Sequence, residues 1–200
     1  MVHSTEEIVI RLATPADAMA VREIYSPFCE ESAVSFEETT PATEEMIRRI
    51  QTALERFPWL ICELGRELVG YAYAGKHRER TAYRWSVDVS LYVKDGRRRC
   101  GIGRALYRSL TRALTLQGYY HAYAGITLPN PASVGLHEAI GFKPVGVYRS
   151  VGYKLGAWHD VGWWQLELQS PESAPTEPRP LPQVLVSSEW AAISVGTGAP

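Results

Sequence analysis

The sequence predicts an α/β chain of the α+β type, and three observations carry that expectation. Arg84 to Val93 alternates strictly: Trp85, Val87, Val89, Leu91 and Val93 point one way and Arg84, Ser86, Asp88, Ser90 and Tyr92 the other, the pattern of a half-buried strand. A glycine-bearing turn, Arg98-x-x-Gly101-x-Gly103, then leads into Ile102, Leu106, Leu110, Ala113 and Leu114 at helical spacing, with a stop at Gly118. Strand-like and helix-like runs alternate along the rest of the chain, with no internal repeat.

In chain order, Ile8 to Ala13 reads as a first strand, and Thr14-Pro15 supplies an N-cap and a first-turn proline for a helix with Ala18, Val21, Ile24, Tyr25 and Phe28 inward. Ser32 to Glu38 is a polar connection holding one aromatic, Phe36, either a staple on a neighbouring helix or part of a site. A second helix is expected from Thr40-Pro41 through Met46, Ile47, Ile50 and Leu54, ending before Pro58. Trp59 to Leu64 and Leu68 to Ala74, joined by Gly65-Arg66, read as a hairpin. Gly75 to Tyr83, GKHRERTAY, is a basic loop, either solvated or gripping an anion. Beyond Gly118, Tyr119 to Thr127 is a strand, and Asn130 and Pro131 suit the N-cap and first position of a last helix that leaves at Gly141-Phe142. Two closing strands are expected near Pro144 to Ser150 and Val161 to Gln169. From Ser170 the composition shifts to SPESAPTEPRPLP, which predicts a domain over 1–169 and a Pro-rich flexible tail over 170–200; Val184 to Ile193 has apolar residues without a clear period, with loose docking on the domain as one alternative.

Composition narrows the function classes. Two hundred residues, 46% hydrophobic and 22% charged, suit one globular domain, and a net charge of −1 argues against nucleic acid or an anionic membrane as the main partner. Cys29, Cys62 and Cys100 are odd in number and lack the paired spacing of a zinc site, so no metal is expected and a reducing cytoplasm fits. Neither a signal peptide at MVHSTEEIVIRL nor a run of about 18 apolar residues is seen.

The chemistry starts at the glycine turn. Backbone N–H groups in a helix's first turn lack intrahelical partners and carry the positive end of the dipole. Gly101 and Gly103 let an anion approach them, and Arg97, Arg98, Arg99 and Arg104 add charge. This segment resembles the pyrophosphate loop of the GNAT N-acetyltransferases. Three further stretches resemble the phosphinothricin acetyltransferase branch: Thr127-Leu128-Pro129-Asn130, Ser133 to Phe142, and Gly152 to Gln165. The resemblance covers about residues 8 to 168. It implies the GNAT acyl-CoA acyltransferase fold, a central, mixed, mostly antiparallel sheet flanked by about four helices. It also implies acetyl-CoA as cosubstrate, a small-molecule amine as acceptor and a homodimer.

The resemblance places CoA against Arg98, Arg99, Cys100, Gly101, Ile102, Gly103 and Arg104, against the backbone of Leu91, Tyr92 and Val93, and against Asn130, whose capping role can coexist with that contact. Acetyl transfer to an amine needs a proton acceptor and an acid for the leaving thiolate. Asp88, on the polar face of the central strand, and His137, two turns into the last helix, are the expected catalytic residues. A salt bridge to Arg84 is the alternative for Asp88, and a helix-face histidine without a role the alternative for His137. The family carries glutamate at position 88; aspartate is one methylene shorter, about 1.5 Å, which favours a bridging water. Arg78 and Arg80 could hold an acidic group, with Phe36, Tyr83, Tyr92 and Val161 closing the pocket. Cys100 lies in the phosphate loop, so direct attack in a ternary complex is expected. The function expected is acetylation of the α-amine of a small acidic amino acid such as phosphinothricin, methionine sulfoximine or arsinothricin. The alternatives are another amine (polyamine, aminoglycoside, protein N-terminus) or a non-catalytic acyl-CoA-binding module.

Overall fold

The computed structural model describes residues 8–194, so the signal-peptide reading at the N-terminus falls largely outside the described residues. The strands are β1 (Ile8–Leu12), β2 (Trp59–Leu64), β3 (Glu67–Lys76), β4 (Ser86–Val93), β5 (His121–Leu128), β6 (Lys143–Lys154) and β7 (Ala157–Glu167). They form one sheet in the order β1-β2-β3-β4-β5-β7-β6, antiparallel except for β4 against β5. The helices are α1 (Ala18–Glu30), α2 (Thr43–Leu54), α3 (Ile102–Gln117), α4 (Pro131–Ile140) and, beyond the sheet, α5 (Leu181–Val184) and α6 (Ser188–Ser194). Short 3-10 turns at Pro15–Asp17 and Thr81–Tyr83 precede α1 and β4.

The alternation in β4 divides the molecule into layers. Val87 and Val89 join Ile102, Leu106, Leu110 and Leu114 of α3 in the larger core, while Tyr92 faces the opposite side and packs beside α1, against Tyr25 and Phe28. Every apolar position expected of α3 is buried, and its end at Gly118 has the left-handed backbone (φ 93°) that glycine adopts without strain. Register then places Asp88, Ser90 and Tyr92 opposite Gly75, Tyr73 and Tyr71 of β3, giving one polar and aromatic face under α1 and α2.

β4 and β5 pair only through Ser86↔His121, Val87↔Ala122 and Asp88↔Tyr123. Beyond Asp88 the two strands continue to Val93 and Leu128 without a ladder between them, so the sheet is parted in its middle. The expected start of β4 is shortened: Arg84 stacks on the Trp85 ring, and the Trp85 indole N–H donates to Thr176 O at 2.8 Å.

The segment expected to be a flexible tail is held against the domain from Thr176 to Ile193. Leu181, Val184, Trp190 and Ile193 are buried around Ala113 of α3. The buried Gln117 amide donates to Arg56 O and to Arg179 O, at 2.7 and 2.8 Å. The apolar residues come in two pairs three apart, each on one face of a short helix, too brief a pattern to register as a period. Replacing Trp190 by alanine is expected to lower stability by about 3–5 kcal/mol. An unchanged urea midpoint would show that the docking contributes nothing.

Candidate active site

Asp88 lies at the last rung before β4 and β5 part. Its Oδ1 accepts a hydrogen bond from His77 Nδ1 at 2.6 Å, and its Oδ2 is 3.9 Å from the Arg78 guanidinium. Burial raises its carboxyl above the ordinary 3.8, against the opposing pull of His77 and Arg78. Arg84 is not its partner; that guanidinium pairs with Glu177 at 2.8 Å.

The His77 ring stacks on Tyr123, with centroids 4.3 Å apart and planes at 15°, and meets Tyr83 and Trp163 edge-on. Arg78 lies 5.4 Å over the Trp163 ring, and the Trp163 indole N–H is buried without an acceptor among the described residues. A cavity of about 580 Å³ runs from α2 along β3, lined by Arg49, Trp59, Tyr71 and Tyr73, and reaches Gly75, the partner of Asp88.

Of the residues expected to close the acceptor pocket, Arg78 and Tyr83 lie at this cluster. Tyr92 is set back among Tyr25, Phe28 and Tyr71. Val161 pairs with Thr127 on the far side of the parted strands, and the exposed Arg80 closes the 3-10 turn through its carbonyl. Phe36 covers Gly152, where any Cβ would overlap its ring, and lies 6.3 Å from His159. Lys154, only 4% exposed, fixes that arrangement by donating to Ser35 O (2.6 Å), Glu37 O (2.7 Å) and Phe28 O (3.4 Å). The end of the β6–β7 hairpin is thereby tied to the segment that carries Phe36. Asp160 shapes the hairpin: it accepts from Ser150 N–H and Arg149 where the β6–β7 register shifts.

The glycine turn has the geometry of an anion site. Gly101 is the N-cap of α3 at φ 78°, Arg99 is also left-handed at φ 64°, and no side chain caps the first turn. Arg98 is exposed and, among the described residues, makes a loose contact with Asp95 at 3.7 Å, whereas Arg97 pairs with Glu67 at 2.8 Å. Gly103 also has a packing role, since a Cβ there would lie 2.8 Å from Leu136 Cδ2 of α4. Cys100 is exposed in the turn. Asn130 caps α4, its Oδ1 accepting from Ser133 N–H at 3.1 Å.

His137 is not in the cleft with Asp88. It is 5% exposed on the α3–α4 side of the sheet, with Nδ1–H donating to Ser133 O at 2.8 Å and Nε2 accepting from the Tyr107 hydroxyl at 2.7 Å. Phe142 closes the ring in. Burial lowers its ionisation below the ordinary 6.5, opposed by the bond to Ser133. The unfolded chain therefore takes up a proton below about pH 6.5 that the folded ring resists, and folding loses stability as pH falls. His137→Gln should flatten the fall in urea midpoint between about pH 7 and pH 5; an unaltered slope would assign it to other groups.

The sequence reading missed His77 and Tyr123. The available signal was register: continuing the β3 alternation 71, 73, 75 past the strand end puts residue 77 on the face of Asp88.

The GNAT acetyltransferase domain family model matches residues 10–163. The phosphinothricin N-acetyltransferase of Streptomyces viridochromogenes is 40% identical over 178 residues, covering 88% of this chain and 96% of its own. The L-methionine sulfoximine/L-methionine sulfone acetyltransferase of Pseudomonas aeruginosa is 33% identical over 168 residues, covering 83% of this chain and 98% of its own. Among solved structures, a GNAT phosphinothricin acetyltransferase from Sinorhizobium meliloti in complex with acetyl-CoA superposes with a TM-score of 0.81 at 34% identity, over 86% of this chain and 94% of that one. With an uncapped helix start, a parted sheet and a carboxylate at the apex, the chain belongs to the GNAT acetyltransferase family, among the relatives of phosphinothricin N-acetyltransferase.

Proposed function

We propose that this chain transfers acetyl from acetyl-CoA to the α-amine of a small acidic amino acid of the phosphinothricin or methionine sulfoximine type. The observation that carries this reading is the end of β4–β5 pairing at Asp88↔Tyr123. A pantetheine arm reaching from a pyrophosphate at the start of α3 would lie along the unpaired edge of Leu91, Tyr92 and Val93 and present its thioester beside Asp88. Arg98, Arg99, Cys100, Gly101, Ile102, Gly103 and Arg104 would hold the diphosphate, with Asn130 beside the arm. Arg78 and the spare Trp163 N–H suit an acidic group, and a cationic polyamine would meet repulsion there. Tyr83 is assigned to the pocket wall beside Asp88 and Phe36 to the wall on the β6–β7 side, whereas Arg80, Tyr92 and Val161, set away from the cluster, carry no assignment to the pocket. Asp88 is assigned to the reacting end, whereas His137, with both ring nitrogens engaged, is assigned to holding α4 against α3.

Thiol release from acetyl-CoA, followed across phosphinothricin, methionine sulfoximine, a polyamine, an aminoglycoside and a peptide N-terminus, tests this assignment. Preference for the two acidic amino acids is expected. Preference for a polycation would overturn the acceptor assignment, and tight CoA binding with no product from any amine would favour a binding module. The β6–β7 hairpin exposes Val145, Val151, Tyr153 and Trp158 by 50–65%, and we assign this face to a second copy of the chain. Sedimentation should read a dimer, and a monomer at micromolar concentration would remove that assignment. Among the described residues no helix is long and apolar enough to cross a membrane. With three free cysteines, a reducing cytoplasm is the compartment proposed. Residues 8–169 are proposed as the catalytic unit, with 170–194 as its brace.

A further inference from the structure

An α-amine keeps its proton to about pH 8, and a carboxylate is a weak acceptor for it even when burial raises its affinity. In this site the carboxylate is not alone. His77 lies just past the end of β3, and its Nδ1 is 2.6 Å from Asp88 Oδ1. With Asp88 ionised, Nδ1 must carry the proton, so the lone pair is on Nε2, for which no hydrogen-bond partner occurs among the described residues. The ring is held flat on Tyr123, the residue paired with Asp88 across the last rung, and the edges of Tyr83 and Trp163 close on it. Only 11% of the His77 side chain is exposed, so the imidazole is held in one orientation at the point where the sheet parts.

We propose that His77, oriented by Asp88, takes the proton from the acceptor amine, making the base a two-residue unit shared between the loop after β3 and strand β4. This rests on the acetyl-transfer reading above. The ammonium proton passes to Nε2, and the resulting imidazolium is stabilised by the Asp88 carboxylate. The freed nitrogen lone pair forms the C–N bond to the acetyl carbon. The C–S bond breaks with its electron pair going to sulfur, and the nitrogen's surplus proton neutralises the thiolate. The imidazolium then returns its proton to solvent, so each turnover yields an amide, a thiol and one proton.

Among the described residues, few ionisable and charged groups surround the ring. From β4 there is Asp88, and from the loop Arg78, which donates to His77 O at 2.8 Å, together with the Lys76–Glu79 pair at 2.7 Å. The phenols of Tyr83 and Tyr123 also face the ring, with His121 beyond Tyr123 at 6.4 Å from its ring, while β7 contributes the uncharged Trp163. Asp88 is thus the anion in contact with the imidazole, and Arg78 the nearby cation.

The test uses full-length His77→Gln and His77→Phe with acetyl-CoA and methionine sulfoximine, with kcat/KM followed from about pH 6 to 9.5. Both variants are expected to lose roughly 10²-fold or more near pH 7, with KM for acetyl-CoA unchanged. The deficit should shrink as pH nears the substrate amine's own pKa, where the nucleophile arrives already deprotonated. A wild-type profile in His77→Gln, or an equal loss at every pH, overturns the proposal. A second readout does not depend on the acceptor. In the free wild-type protein, ¹⁵N NMR should show neutral His77 protonated on Nδ1 and bare on Nε2, a preference that Asp88→Asn weakens. The opposite tautomer overturns the proposal whichever amine the enzyme uses, whereas failure of the acidic amino acids alone overturns only the acceptor assignment.

Discussion

Asp88→Asn is expected to lower kcat/KM by about 10²–10⁴-fold near pH 7, with KM for acetyl-CoA little changed and the urea midpoint nearly preserved. The substitution keeps the side chain's size and removes its charge, so packing beside Tyr123 and Gly75 survives while the counterion to His77 is lost. The amide can still accept from Nδ1–H through its oxygen, or rotate and offer nitrogen. Only the carboxylate enforces one tautomer and stabilises an imidazolium. Asp88→Glu is expected to recover only part of the rate, because another methylene must fit where the imidazole already stands 2.6 Å from the carboxylate. Wild-type rates in Asp88→Asn would remove this carboxylate from the mechanism and leave the fold and family unaffected.

The second large effect is expected at the start of α3. Gly101→Val places a β-branched residue at φ 78°, and Gly103→Val drives a side chain into Leu136 and the closely packed α3–α4 contact. Together they should raise the calorimetric Kd for acetyl-CoA roughly 30-fold, which corresponds to about 2 kcal/mol. Unaltered affinity in the folded double variant would mean that the diphosphate is held elsewhere. Gly101 acts on the turn alone, since open space surrounds its Cβ position, whereas Gly103 also acts through packing. The single variants therefore separate backbone strain from helix docking: Gly101→Val, strained only at its own backbone, should shift affinity and lower stability by about 1–2 kcal/mol, and Gly103→Val should lower stability through its overlap with Leu136.

Much of the fold was legible because its signals are local. Alternation in β4, the glycine turn and the periodic apolar face of α3 each occupy a single run of sequence, and each lies within two residues of its expected place. What stayed hidden depends on register or on distant backbone. The His77–Asp88 pair spans a loop and becomes visible only when Gly75 is paired with Asp88. Nothing in the sequence marks Lys154 for burial, and only the fold brings three carbonyls from residues 28 to 37 to its ammonium. The segment after Ser170 has the composition of a solvated chain, yet four apolar side chains suffice to dock it because Ala113 leaves room on α3. His137 stands in a motif that pointed to proton transfer, but motif position says nothing about whether a neighbouring helix supplies a Tyr107 to occupy its ring.

The ammonium of Lys154 ties the β6–β7 hairpin to the segment that carries Phe36, the residue proposed for one pocket wall. On that proposal, discrimination among amines would depend on a tether remote from the bonds being made and broken. Loosening it by Lys154→Met should broaden the range of amines accepted before it slows the turnover of any of them, so selectivity in this enzyme can drift without harm to its catalytic power.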